Sequence, residues 1–236
     1  LEGGGQPMFR NSEKNSPVFI AGTQEDKERS TRYSIVFNGE IYNYQDIRLD
    51  LEKLGYAFST TSDTEVLLLS YIAWGESMLD RLRGMFAFAI WDAETQELFC
   101  ARDFFGIKPF YYTQTDDGHF VFASEAKSIL AHPSYTKELN HRALEDYLVF
   151  QFPANEETFF KGIYKLAPAT FIRVKEGKVI QKEQYWKPQF EPVEGRSLEE
   201  LAKEIDDEFR VSVRYHNVAD VEVGSFLSSG IDSSYM

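Results

Sequence analysis

The feature that most constrains this chain is an uninterrupted apolar run, Met85-Phe86-Ala87-Phe88-Ala89-Ile90-Trp91. A strand that is apolar at every position has no face to offer to water, so both of its faces must be covered. The segments that follow share its character. Residues 97–103, 109–113 and 119–124 are short, aromatic or β-branched, with turn signals at Ala93-Glu94-Thr95 and Asp116-Asp117-Gly118 between them. Together they predict an antiparallel meander. Hydrophobic residues make up 43% of the 236 and aromatics 15%, enough to build cores around such strands.

Upstream, residues 10–31 are polar with little periodicity, and residues 33–37 read as a strand. Asn38-Gly39 then reads as a turn, the pair best suited to positive φ. Ile47, Leu51 and Leu54 share one helical face over residues 44–54, with Gly55 as the stop. Ser62-Asp63-Thr64-Glu65 has the form of a capping box and opens a helix through Val66, Leu69 and Ile72 that ends at Gly75. A helix over 140–150 and a hairpin around Glu176-Gly177 follow. Pro188 and Pro192 mark residues 186–196 as a linker. A second capping box, Ser197-Leu198-Glu199-Glu200, starts a helix with Leu198, Leu201, Ile205 and Phe209 on one face. Residues 221–227 read as a strand that feeds a Ser/Gly-rich loop.

Several function classes fall away. A net charge of −13 argues against a general nucleic-acid or anionic-membrane binder, since phosphate contacts need clustered Lys and Arg. The apolar run at 85–91 is far too short to cross a bilayer. Cys100 is the single cysteine, so no intrachain disulfide forms, which fits a reducing cytoplasm. It reads as a small buried hydrophobe. His119, His132, His141 and His216 show no ligand spacing, and no protein-built metal site is expected.

Two clusters suggest chemistry. A strand that runs into Ser228-Ser229-Gly230-Ile231-Asp232-Ser233-Ser234 can present backbone N–H groups and hydroxyls to a phosphate. Lysine is absent, so this is not a Walker A loop. Asp232 would repel phosphate unless Mg²⁺ lies between them. Composition alone allows an ordinary Ser/Gly turn. Near the start, the Asn38 amide and the Gly39 N–H are a pair of donors of the kind that stabilises a developing oxyanion, and Glu40 and Asp63 could hold an ammonium group. Each piece alone also reads as a plain turn or a plain helix cap.

The order of the motifs is more specific. Asn38-Gly39-Glu40-Ile41-Tyr42-Asn43, Ser62-Asp63-Thr64-Glu65, Arg83-Gly84-Met85-Phe86, Arg102-Asp103, Gly106-Ile107-Lys108-Pro109 and Ala123-Ser124-Glu125 together resemble the class II glutamine amidotransferases. Ser228, Gly230, Asp232 and Ser233 match the PP-loop of the ATP pyrophosphatases, with Ser229 departing from its second glycine. The whole order resembles the glutamine-hydrolysing asparagine synthetase family. The resemblance implies an α+β chain: an N-terminal-nucleophile hydrolase αββα sandwich of antiparallel sheets over residues 1–186, a linker at 187–196, and from 197 to 236 the start of an α/β PP-loop domain (adenine nucleotide α-hydrolase-like).

It further implies that Asn38 and Gly39 form an oxyanion hole and that Glu40 and Asp63 help bind glutamine. ATP would lie against Leu227, Ser228, Gly230, Asp232 and Ser233, with Mg²⁺ as cofactor. Glutamine would supply ammonia to ATP-activated aspartate, giving asparagine, AMP, pyrophosphate and glutamate, in a cytoplasmic enzyme with no nucleic-acid or membrane partner; a homodimer remains open. The family's nucleophile is an N-terminal cysteine, which Leu1 cannot replace. The sequence therefore reads as an internal piece, inactive by itself, with Arg102 and Lys108 in structural roles. The same architecture acting on another carboxylate, as in cell-wall or secondary metabolism, is an alternative, as is a non-catalytic binding piece.

Overall fold

The computed structural model describes residues 4–20, 31–152, 155–192, 194–218 and 222–236. The chain divides into two compact units, one ending at Lys187 and the other Pro188–Met236.

The first unit carries β1 (Met8–Arg10), β2 (Phe19–Ile20), β3 (Tyr33–Ile41), α1 (Tyr44–Lys53), α2 (Asp63–Trp74) and a 3-10 turn (Gly75–Arg81). There follow β4 (Gly84–Asp92), β5 (Glu97–Arg102), β6 (Tyr111–Gln114), β7 (Phe120–Ala123), α3 (Ala126–Leu130) and α4 (His141–Phe150). It closes with β8 (Tyr164–Lys165), β9 (Thr170–Lys175) and β10 (Lys178–Gln184). The larger sheet has the order β10-β9-β5-β4-β3-β1-β2 and the smaller one β7-β6-β8, both antiparallel.

The apolar run forms β4, in the middle of the larger sheet. Strand alternation sorts its side chains between two cores. Phe86, Phe88 and Ile90 face one way and join Ile35, Phe99 and Phe171 against Ile47 and Leu51 of α1 and Val66 to Leu69 of α2. Each such buried side chain contributes about 2 kcal/mol. Ala87 and Ala89 face the other way with Cys100 and Ile172, and meet Tyr112 and Phe122 of the smaller sheet and Phe110 just before it. Small side chains there let the two sheets approach. On the smaller sheet, β6 and β7 carry α3, which buries Ile129. Helices, sheet, sheet and helix thus make an α+β sandwich with antiparallel sheets.

The expected meander breaks in its middle. β5 pairs with β4 and β9, whereas β6 pairs with β7 and β8, so the chain leaves the larger sheet after Arg102. Two buried side chains fix this crossover. The Asp103 carboxylate accepts the backbone N–H groups of Phe86 (3.2 Å), Phe105 (3.1 Å), Ile107 (2.9 Å) and Lys108 (2.9 Å). Arg102 donates to the carbonyls of Gly106, Lys108 and Leu166. Backbone groups held by side chains are no longer available to a β ladder.

Asn38-Gly39 is not a turn. β3 runs through both residues, pairing Asn38 with Ala87 and Gly39 with Phe86. Glycine is required by close approach: a Cβ on Gly39, at φ +156°, would lie 2.1 Å from the Met85 carbonyl oxygen and 2.7 Å from Phe86 Cα. Gly39→Ala is therefore expected to destabilise the first unit by about 3 kcal/mol, combining overpacking with an unfavourable backbone region. Urea unfolding of the two proteins checks this.

The first capping box also forms differently. The Ser62 hydroxyl accepts the Thr64 N–H at 3.1 Å, but Glu65 does not return to Ser62. Its carboxylate takes Arg10 Nη1 at 3.0 Å and the N–H groups of Ser59 (2.9 Å) and Thr60 (2.7 Å). Arg10 belongs to β1, a strand too short to show periodicity within the polar stretch. The rest of that stretch, 21–30, lies outside the described residues. α1, α4 and the hairpin at Glu176-Gly177 form as the sequence predicts.

In the second unit α5 (Leu198–His216) has the reciprocal cap between Ser197 and Glu200. None of its residues is buried: Leu198 is 84% and Ile205 66% exposed. The expected strand at 221–227 is absent over 222–227, and Val221 lies outside the described residues. An apolar segment becomes a strand only when neighbours take its N–H and C=O groups, and among the described residues no strand pairs with 222–227. A short helix, α6 (Ile231–Tyr235), follows the loop. Among the described residues no helix is long and apolar enough to cross a membrane.

Candidate functional site

Along β3, residues 34, 36, 38 and 40 share one face. Val36 packs in the core between the sheets, so Asn38 and Glu40 are directed toward the smaller sheet. There a cavity of about 240 Å³ opens between the two sheets, lined by Val36, Asn38, Ala87, Phe110, Phe122 and Ser124 among others. Asn38 Nδ2 donates to Ser124 Oγ at 3.2 Å, just past the end of β7.

Gly39 contributes through its backbone. The β1 ladder on β3 ends at Met8↔Ile35, which leaves the N–H groups beyond it without a neighbouring strand. The Phe37 N–H finds Gln6 Oε1 at 2.6 Å, and the Ile41 N–H finds Asp63 Oδ2 at 3.1 Å. Alternation puts the Gly39 N–H on the same edge, between these two.

Asp63 opens α2, where a carboxylate is favoured by the exposed N–H groups of the first turn. Burial nevertheless pushes its carboxyl above the ordinary range, against hydrogen bonds from Ile41, Thr64 and Ser62 that pull it down. A raised carboxyl pKa means the fold favours the neutral form, so this contribution is present at acid pH and lost as pH rises through the folded pKa. Asp63→Asn, which keeps an acceptor for Ile41, should match the parent near about pH 4 and melt above it at neutral pH. Melting curves across that range check the sign.

The structure brings Asn38 to the cavity. Gly39, Glu40 and Asp63 do not line it, although Glu40 shares the Asn38 face and Asp63 fastens the end of the same strand. Cys100 is fully buried in β5, and burial pushes its thiol well up, so it offers no thiolate. Ser124, Gln6 and Asp103 were not singled out from the sequence as site residues. Their signal is tertiary: the Asn38–Ser124 bond spans 86 positions.

In the second unit the Ser/Gly loop curls on itself. Ser228 Oγ and Ser233 Oγ lie 2.7 Å apart, the Ser228 N–H donates to Ser233 Oγ at 3.1 Å, and the Gly230 N–H donates to Ser228 Oγ at 3.2 Å. Leu227, Ser228, Gly230, Asp232 and Ser233 are all solvent-reachable. This donor set fits phosphate oxygens, which would replace the serine–serine contacts, and the Asp232 carboxylate is exposed in the same loop. Among the described residues no group of three His, Cys, Asp or Glu could hold a metal.

A model of the glutamine amidotransferase domain matches residues 18–186, and one of asparagine synthase matches residues 204–236. The chain belongs to the glutamine amidotransferase domain family. It is 41% identical to the glutamine-hydrolysing asparagine synthetase 1 of Bacillus subtilis over 236 residues, 100% of this chain and 34% of that protein. It is 42% identical over 214 residues to a putative glutamine-hydrolysing asparagine synthetase of Mycobacterium tuberculosis, covering 88% of this chain and 33% of that protein. The chain thus spans about a third of the length of the curated relatives it matches. Among solved structures, the glutamine phosphoribosylpyrophosphate amidotransferase of B. subtilis aligns with TM-score 0.45 and 19% identity, over 69% of this chain and 31% of that one.

Proposed function

We propose that this chain serves in glutamine-dependent asparagine synthesis. Its first unit would release ammonia from glutamine, and its second would contribute to activating aspartate with ATP. The observation that carries this reading is the succession, on one chain, of a glutamine amidotransferase segment and an asparagine synthase segment.

The geometry supports the same division of labour. In an amide hydrolysis the carbonyl oxygen gains charge as it becomes tetrahedral, and fixed donors lower that barrier because they need no reorganisation. The Asn38 amide and the Gly39 N–H are the donors in question. Glu40 on the Asn38 face and Asp63 at the strand end are the carboxylates for the glutamine ammonium group. Residues 1–186, 187–196 and 197–236 serve as glutaminase segment, linker and start of the nucleotide segment.

ATP with Mg²⁺ would supply the leaving group that makes a carboxylate reactive. Ser228, Ser233 and the backbone of Leu227 and Gly230 would hold its phosphates, with Asp232 toward the cation. A cytoplasmic setting agrees with the lone buried cysteine, and sedimentation would show whether the assembly is a homodimer.

The test uses the full-length polypeptide that carries this chain. Aspartate-dependent ATP–pyrophosphate exchange and glutamine-dependent asparagine formation are expected. Asn38→Ala should lower the glutaminase kcat by about 100-fold, the usual cost of one oxyanion donor, while leaving ammonia-dependent synthesis intact. Absence of the exchange reaction would refute the proposal.

A further inference from the structure

We infer that Ser124 is a positioning residue for the glutaminase site: it holds the Asn38 amide in place at the edge of the cavity. The inference rests on the proposed role of Asn38 and adds a residue to it.

A terminal amide carries two N–H donors on one side and an acceptor oxygen on the other. An Asn that must donate toward an oxyanion needs its side chain held so that a donor stays at the site. Ser124 Oγ supplies such a hold: it accepts from Asn38 Nδ2 at 3.2 Å and anchors the amide group beside the cavity. One N–H is committed to the hydroxyl, and the second N–H of the same nitrogen is left for the cavity that both residues line.

The two residues come from different sheets. Asn38 is held on β3 by its register with Ala87 of β4. Ser124 follows the last paired residue of β7, Ala123, which is in register with Tyr111 of β6. The stacking of Phe110 on Phe122, 5.5 Å between ring centres and 4° from parallel, stiffens that end of the smaller sheet beside the cavity. The bond thus ties the amide to a second rigid element as well as its own strand. Ser124 itself is exposed, so its bond adds little to folding stability. Its effect falls on the placement of the donor.

The test is glutaminase kinetics of full-length Ser124→Ala and Ser124→Thr beside the parent, with melting temperatures. If the parent itself does not hydrolyse glutamine, the glutaminase reading fails and takes this inference with it. If it does, Ser124→Ala is expected to lose about tenfold in kcat with KM within about twofold, because the lost contact matters most when charge develops on the substrate. Ser124→Thr, which keeps the hydroxyl, should recover most of the loss, with all three proteins melting together. Parental kcat in Ser124→Ala, a change confined to KM, no recovery by threonine, or a loss that tracks a lowered melting temperature would each overturn the inference.

Discussion

Asp103→Ala is expected to lower the stability of the first unit by about 3 kcal/mol. The side chain is 1% exposed and its two oxygens accept four backbone N–H groups, from Phe86, Phe105, Ile107 and Lys108. The buried Phe86 N–H left without a partner costs about 1–3 kcal/mol, and the three part-buried donors, which water can reach, add a smaller share. Single domains hold only about 5–15 kcal/mol in total. The lesion also reaches both sheets, since Phe86 is in β4 and the other three donors steer the chain toward β6. Circular dichroism melts decide the matter: a sharp transition within a few degrees of the parent would show that the crossover is held by something else.

Glu65→Ala carries an effect at least as large. Glu65 and Arg10 are both fully buried side chains, joined at 3.0 Å. Removing the carboxylate leaves a guanidinium without a counter-charge and strips the acceptor from Ser59 and Thr60, at a cost of about 3–5 kcal/mol. Arg10 also donates to the carbonyls of Lys14 (3.0 Å) and Ala57 (2.9 Å), so the charge has no route to solvent without tearing those contacts. Glu65→Gln keeps one of the two acceptor oxygens and the side-chain volume, and should lose less. The double variant Arg10→Met/Glu65→Gln should recover part of the loss, since no charge is then buried. Guanidinium titrations of the three variants order them; equal midpoints would mean that the pair contributes nothing net.

These two carboxylates show where sequence reading stops. Glu65 sits in a sequence that spells a capping box, and its neighbour Ser62 does cap the helix. Yet the same carboxylate is drawn away by an arginine 55 positions earlier. Local rules weigh local partners only, and a buried guanidinium outweighs a helix N-terminus. Asn38-Gly39 teaches the same point in reverse. The pair has strong turn chemistry, but β4 lies so close to Gly39 that a strand without a side chain is the better solution. Glycine was demanded by approach and not by reversal of the chain. The strand at 222–227 fails for a third reason: extended backbone needs ladder partners, and apolar residues alone do not supply them.

The candidate site was legible in part. Asn38, Gly39, Glu40 and Asp63 stand out by residue type and by their order along the chain. Their relative placement was not legible, because it depends on where β1 stops pairing with β3 and on how the smaller sheet meets the larger. Ser124 stood in the Ala123-Ser124-Glu125 motif, but nothing local gave it a place beside Asn38, 86 positions earlier.

What the sequence determined by itself was the demand for two-sided cover over 85–91, the helices around it and the succession of the two family segments. Periodicity encodes the cover and the helices directly, since a stripe of apolar residues must be buried wherever the chain goes, while the order of the motifs carries the two family segments. Tertiary structure alone decided that the strands split into two sheets after Arg102, that Asn38 faces the gap between them, and that the Gly39 N–H lies on an open edge. Those outcomes depend on which distant groups compete for the same backbone hydrogen bonds, and that competition is settled only when the chain has folded.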